Sequence, residues 1–258
     1  MSFLDEGIEL SNSGCYEKAI KTFDKELEIN PQNEDAWYAK GLALTEMVFS
    51  EEVIKSYSKA QETNPKNKQV WHYKANELSC IKYWDEAIKA FDKVLEINSQ
   101  HRDAKRAKAD VLFYLEHYEE AIEVYDEILE LQLHEKSYDL IVIRMVCSLF
   151  NLERYEEVIK VCDKVLEIYP QDEETWCYKG LGLSYLKDSE EAIKAYDKAI
   201  EINPQHSGAW CEKARSLRHL KRYEDAIEAY DKALEIGPQS EIILAEKKKI
   251  ELHLKNDM

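Results

Sequence analysis

The chain has 258 residues, with 35 Lys and Arg against 52 Asp and Glu, for a formal net charge of −17. An acidic excess of that size gains nothing from counterion release, which argues against nucleic acid and anionic membrane as main partners. No apolar run approaches the roughly 18 residues of a membrane span; the longest, LIVIRMVCSLF, is short and holds Arg144. The start MSFLDEGIEL has neither a basic head nor a long apolar core, so no secretory signal is expected. The six cysteines (Cys15, Cys80, Cys147, Cys162, Cys177 and Cys211) include no C-x-x-C pair, and a reducing cytoplasm is the simplest setting for them.

In chain order, Ala19, Val53, Ala87, Ala121, Val158, Ala192 and Ala226 fall 34, 34, 34, 37, 34 and 34 residues apart, and each is followed by Ile. Leu10, Leu44, Leu78, Leu112, Leu149, Leu183 and Leu217 each stand nine residues upstream of the corresponding Ala or Val. A period of this size means stacked units that bury their apolar faces against their neighbours. Within residues 173–206, Trp176, Gly180, Leu183 and Leu186 recur at helical spacing. A second set, Ala192, Ile193, Tyr196, Ala199 and Ile200, follows a polar break at Lys187 to Ser189, so each unit reads as two amphipathic helices. Pro31, Pro65, Pro170, Pro204 and Pro238 close the second helix, with Ser99 and Leu133 in that register elsewhere.

Helices joined so tightly lie antiparallel and need small residues where they cross. Gly7, Gly41, Ala75, Ala109, Gly180 and Ala214 supply them, with Val146 as the exception. The aromatics Phe23, Tyr57, Phe91, Tyr125, Tyr196 and Tyr230 fill the remaining space, and Cys162 substitutes once.

The unit W-x3-[GA]-x2-L, then Y-x-x-A-I-x2-[YF]-x2-A and a closing N-P, resembles the tetratricopeptide repeat from Met1 to about Ser240. Departures are local: Ser50 and Ser189 replace the inter-helix Tyr, and Lys105 and Val142 replace the Trp. The resemblance implies an all-α, right-handed α-solenoid of antiparallel helix pairs whose first helices line a concave groove. The expected units are 1–33, 34–67, 68–101, 102–138 with a three-residue insertion, 139–172, 173–206 and 207–240, followed by a capping helix and short tail at 241–258. The insertion contains no breaker, so the second helix of the fourth unit is expected to run on, with a change of pitch near Lys136 to Tyr138. In the cap, Ile242, Ile243 and Leu244 continue the apolar pattern, with Leu244 expected to dock.

Catalytic chemistry has no specific signature. The seven histidines show no metal-ligand spacing, no phosphate loop or nucleophile elbow occurs, and no cofactor is implied. The acid pairs Glu51/Glu52, Glu119/Glu120, Glu156/Glu157 and Glu190/Glu191 repeat at the start of each second helix, which makes them surface charge that complements the helix dipole. Lys55, Lys160 and Lys194 stand within a turn of them. Cys177 and Cys211 share one register and read as free thiols.

Two groups stand out as binding candidates. Leu140, Ile143, Cys147 and Phe150 form a second apolar stripe on the first helix of the fifth unit, in the register that the resemblance assigns to the groove, and Phe113 and Tyr114 are expected to enlarge it. The stripe is either a binding surface or core buried by the insertion. Arg215, Arg218 and His219 form a basic cluster that either holds an acidic peptide or balances neighbouring acids. The expected function is a non-enzymatic adaptor or scaffold that binds a peptide or helix of an unknown protein partner. A homodimeric assembly scaffold is the alternative, and RNA binding is disfavoured by the charge.

Overall fold

The computed structural model of the chain describes residues 2–47, 50–132, 138–237 and 241–256. It divides into two compact units, Met1–Ile128 and Leu129–Met258. The first holds α1 (Phe3–Asn12), α2 (Tyr16–Ile29), α3 (Glu34–Glu46), α4 (Ser50–Thr63), α5 (Lys68–Cys80), α6 (Trp84–Ile97), α7 (Arg102–Tyr114) and α8 (Tyr118–Gln132), whose last turn falls to the second unit. The second holds α9 (Tyr138–Asn151), α10 (Tyr155–Ile168), α11 (Glu173–Tyr185), α12 (Ser189–Ile202), α13 (Ser207–His219), α14 (Tyr223–Ile236) and α15 (Glu241–Asn256). The fold is all-α, and within each unit consecutive helices pack as hairpins stacked on their neighbours.

The turns explain the recurrent Leu. Gly14, Lys82, Glu116, Glu153, Lys187 and Lys221 have positive φ, from 56° to 77°, in one register of the inter-helix turn. The next amide then donates back to the Leu carbonyl five residues earlier, as Cys15 N does to Leu10 O and Asp188 N to Leu183 O. This is the left-handed helix termination in which orphan carbonyls regain donors. The first helices start on side-chain caps: Asn33, Asn67, His101, Asp172 and His206 each accept from the backbone amide three residues on.

Gly7, Gly41 and Gly180 lie so close to Phe23, Tyr57 and Tyr196 that an added Cβ would sit 2.4–2.5 Å from a ring carbon. Where Val146 replaces the small residue, Cys162 replaces the ring, and both are buried. Five ion pairs, rungs of a ladder, each tie a second helix to the first helix that follows it. Lys40–Asp24, Lys108–Asp92, Lys179–Asp163, Lys213–Asp197 and Lys247–Asp231 all close at 2.5–2.6 Å. Lys74 faces Ser58's register instead and donates to Gln61 Oε1 at 2.9 Å. The indole N–H groups of Trp37, Trp71, Trp176 and Trp210 donate to the carbonyls of Pro31, Pro65, Pro170 and Pro204 at 2.9–3.1 Å, which clips each inter-pair turn to the next helix.

Three expectations need qualification. α8 has 15 residues where α2, α6, α10, α12 and α14 have 14, but residues 133–137, and with them most of the expected change of pitch, lie outside the described residues. On α15 it is Ile243 and Ile250 that are buried, while Leu244 stays 43% exposed, because Ile243 and Ile250 share a helical face and Leu244 lies a hundred degrees away. Of the lysines expected to pair with the second-helix acids, Lys194 meets Glu191 at 2.5 Å, whereas Glu157 takes Arg154 at 2.6 Å.

Candidate functional site

The apolar residues of α9 divide as helical spacing dictates. Ile141, Val142, Met145, Val146 and Leu149 are buried, Ile143, Cys147 and Phe150 are half-buried, and Leu140 is 47% exposed. The stripe is therefore neither wholly core nor wholly open. Phe150 meets two rings absent from the sequence-level candidates, Tyr155 at 5.7 Å and Tyr185 at 5.4 Å between centroids. Tyr155 and Tyr185 stack at 4.8 Å, and Tyr185 is 58% exposed. Burial raises the Cys147 thiol pKa, so it behaves as a small apolar group at neutral pH.

Phe113 and Tyr114 belong to the first unit and form their own patch. Tyr114 is 57% exposed and stacks on Trp84 at 5.9 Å, while Phe113 sets its edge against Tyr118. Tyr114 and Tyr185 occupy one register of the repeat, each resting on the first aromatic of the preceding second helix. That shared register is the sequence signal that could have found Tyr185.

The basic cluster is engaged within the protein. Arg215 Nη1 donates to Glu212 Oε1 at 2.6 Å and Arg215 Nε to Glu246 Oε2 at 3.1 Å, and the Tyr230 hydroxyl donates to the same Glu246 oxygen at 2.5 Å. Burial raises the Glu212 carboxyl, and despite burial the bonds from Arg215 and Tyr230 hold Glu246 low. Arg215 thus docks the last helix, Arg218 is half-buried beside it, and His219 is exposed.

Cys177 and Cys211, which share one register, are both buried. Burial, with nearby carboxylates, pushes Cys177 up to about 12, and burial pushes Cys211 up to about 11. Cys177 Sγ lies 3.6 Å from His206 Nε2, which also faces Glu174 Oε1 at 3.2 Å. His206 Nδ1 accepts from Ala209 N, so in the neutral ring the proton is on Nε2 and cannot be exchanged for one from the thiol. Through this bond His206 caps α13. No group of three potential metal ligands occurs among the described residues, and none of their helices is long and apolar enough to cross a membrane.

The second unit has a cleft of about 750 Å³ at the N-terminal ends of α9 and α11. Val142, Ile143 and Ile168 give it an apolar wall, Tyr138, Tyr169 and Tyr178 an aromatic one, and Asp139, Asp172, Glu173 and Glu174 its charge. Tyr138 and Tyr169 stack at 4.3 Å, and the Tyr138 hydroxyl donates to Asp172 Oδ2 at 3.2 Å. Burial raises both Tyr138 and Tyr178, the latter to about 12.

Helical hairpins with these turns, clips and small-to-aromatic contacts define a helical-repeat scaffold. A family model described as tetratricopeptide repeat matches residues 84–135 and 179–241. An uncharacterized protein of Methanocaldococcus jannaschii is 45% identical over 42 residues, which cover 16% of this chain and 49% of that protein, so the matched stretch spans about half of the relative. Among solved structures, the C-terminal part of a tetratricopeptide-repeat protein from Cytophaga hutchinsonii aligns with a TM-score of 0.75 at 13% identity, covering 94% of this chain and 98% of that one. YrrB, described as a tetratricopeptide-repeat protein with an unusual peptide-binding site, aligns with a TM-score of 0.59 at 24% identity over 76% of this chain and 99% of its own. Residues 84–135 and 179–241 match the tetratricopeptide-repeat model, and the fold is that of tetratricopeptide-repeat structures.

Proposed function

We propose that this protein is a non-enzymatic adaptor that holds a peptide or helix of a partner protein against the α9 strip of Leu140, Ile143, Cys147 and Phe150, with Tyr185 extending it. The observation that supports this reading is an apolar row left accessible on a helix that already buries two other faces, ending in a cluster of three rings of which one is largely open to solvent. Desolvated aromatic and aliphatic anchors carry most truncation energy at interfaces, while charged rims set approach and register. Phe113 and Tyr114 form a second surface of the same kind on the first unit. The acidic composition and the six free thiols fit a protein-binding role in a reducing, cytoplasmic setting.

The test is comparative capture from native lysate with wild type and Phe150→Asp, with helix content and light scattering measured on both. Loss of a defined set of partners from the variant, with helix content and mass unchanged, supports the adaptor reading. A wild type that is dimeric and a Phe150→Asp variant that is monomeric would instead make the strip a self-assembly face. An unfolded variant would make it core.

A further inference from the structure

We propose that the cleft between the starts of α9 and α11 is a subsite for the arginine side chain of a partner peptide whose apolar residues lie on the neighbouring α9 strip. This rests on the adaptor reading above and names the chemistry of the partner. Ile143 belongs to both surfaces, so an extended segment crossing the strip reaches the cleft without a gap.

Charge balance sets this cleft apart. Among the described residues its lining has four carboxylates, Asp139, Asp172, Glu173 and Glu174, and no Lys, Arg or His. A second opening of about 540 Å³ beside α12 is lined by Lys179, Lys194 and Lys198 as well as Glu191, Asp197 and Glu201. Along the ladder each Asp has its Lys. Acids in the first turn of a helix complement its dipole, which explains one carboxylate at each helix start. It does not explain their convergence on an opening walled by tyrosines, since α5 and α13 begin with no acid in the first turn.

The four carboxylates are not equally committed. Asp172 caps α11 and accepts from both Thr175 and Tyr138. Glu173 accepts from Asn203 Nδ2 at 3.2 Å and keeps its other oxygen for a ligand. Glu174 shares one oxygen with His206, its side chain is 57% exposed, and Asp139 is exposed at the start of α9. Tyr169 and Tyr178 are half-buried, leaving ring surface to a planar cation. Arginine fits such a lining better than lysine, because a guanidinium stacks on an aromatic face while donating to carboxylates in its own plane.

Two fluorescein-labelled, end-blocked peptides provide the probe, one alternating leucine and arginine and the other with glutamine at every arginine. The arginine peptide should bind roughly tenfold or more tightly at physiological salt. Titrating it should shift the methyl resonances of Val142, Ile143 and Ile168 first. Asp139→Asn combined with Glu174→Gln should remove that preference and leave the glutamine peptide's affinity unchanged, whereas Phe150→Ala should weaken both peptides alike. Equal affinity for the two peptides, absence of binding by both, or methyl shifts spread over distant acidic helices would overturn the subsite. If Phe150→Ala leaves both peptides untouched while the carboxylate variant abolishes the preference, the strip reading fails and the subsite stands.

Discussion

Ile250→Ala should loosen the C-terminal end of the protein, and Leu244→Ala should not. Ile250 is 3% exposed and belongs to a core with Ala214, Leu217, Ala229, Tyr230, Ala233 and Ile243, whereas Leu244 is 43% exposed. Truncating a buried isoleucine to alanine costs about 2–5 kcal/mol, and the low end applies here because α15 packs on one side only and can settle into the space. At roughly 2–4 °C per kcal/mol for a chain of this size, the expected fall in melting temperature is about 4–8 °C. An exposed leucine should stay within about 0.5 kcal/mol. Helical circular dichroism on heating gives the first readout. Amide exchange in α14 gives the second, since undocking of α15 uncovers that helix and can precede global melting in a repeat array. Equal melting shifts for the two variants, or unchanged exchange in α14 with Ile250→Ala, would refute the packing argument.

Gly180→Ala should destabilise by about 1 kcal/mol: the helix gains about 1 from the better helix former, but a Cβ 2.5 Å from Tyr196 forces repacking that costs about 1–3, read by urea denaturation. Lys187→Gly, at a φ of 63°, should raise stability by up to about 1 kcal/mol in the same assay. His72 is held below its ordinary value, first by burial and then by His101 at 4.9 Å between centroids, with Asp103 opposing. Its contribution is therefore full above about pH 6.5 and is lost as pH falls toward its folded value, so His72→Gln should flatten the fall in melting temperature below about pH 6.5. Alkylation of the native protein should label Cys15 and Cys80 first and Cys162, Cys177 and Cys211 last, and the denatured chain should show six thiols by mass.

Periodicity carried the fold because each local contact recurs in register: the Leu carbonyl that closes a turn, the small residue under a ring and the proline whose carbonyl takes an indole N–H are fixed offsets within one unit. Departures from the period were harder to read. Leu244 and Ile243 are adjacent and equally apolar, and only the docking angle of α15 decides which is buried. In CEKARSLRHL Arg215 could hold an acidic peptide or balance nearby acids; it does the latter with Glu212, but its second partner Glu246 lies 31 residues on in a helix that matches the repeat poorly. The α9 stripe was visible as spacing, but Tyr155 and Tyr185, which close its end, come from two other helices. The acidic cleft was split in the sequence among α9, the turn before α11 and α11 itself, where each acid reads as a helix-start residue.

The Lys–Asp ladder bears on how such a chain can change length. Every rung joins a lysine to an aspartate 16 residues earlier, so its two ends are always encoded together, straddling one junction between pairs. Between residues 163 and 247, where three successive rungs are intact, excising or duplicating a 34-residue segment leaves each of these lysines facing an aspartate of the same register. A gene built this way can gain or lose pairs by unequal recombination without first evolving new contacts at the splice. The Ser58 register, where Lys74 turns to Gln61, shows that a rung can lapse in place while the stack on either side persists.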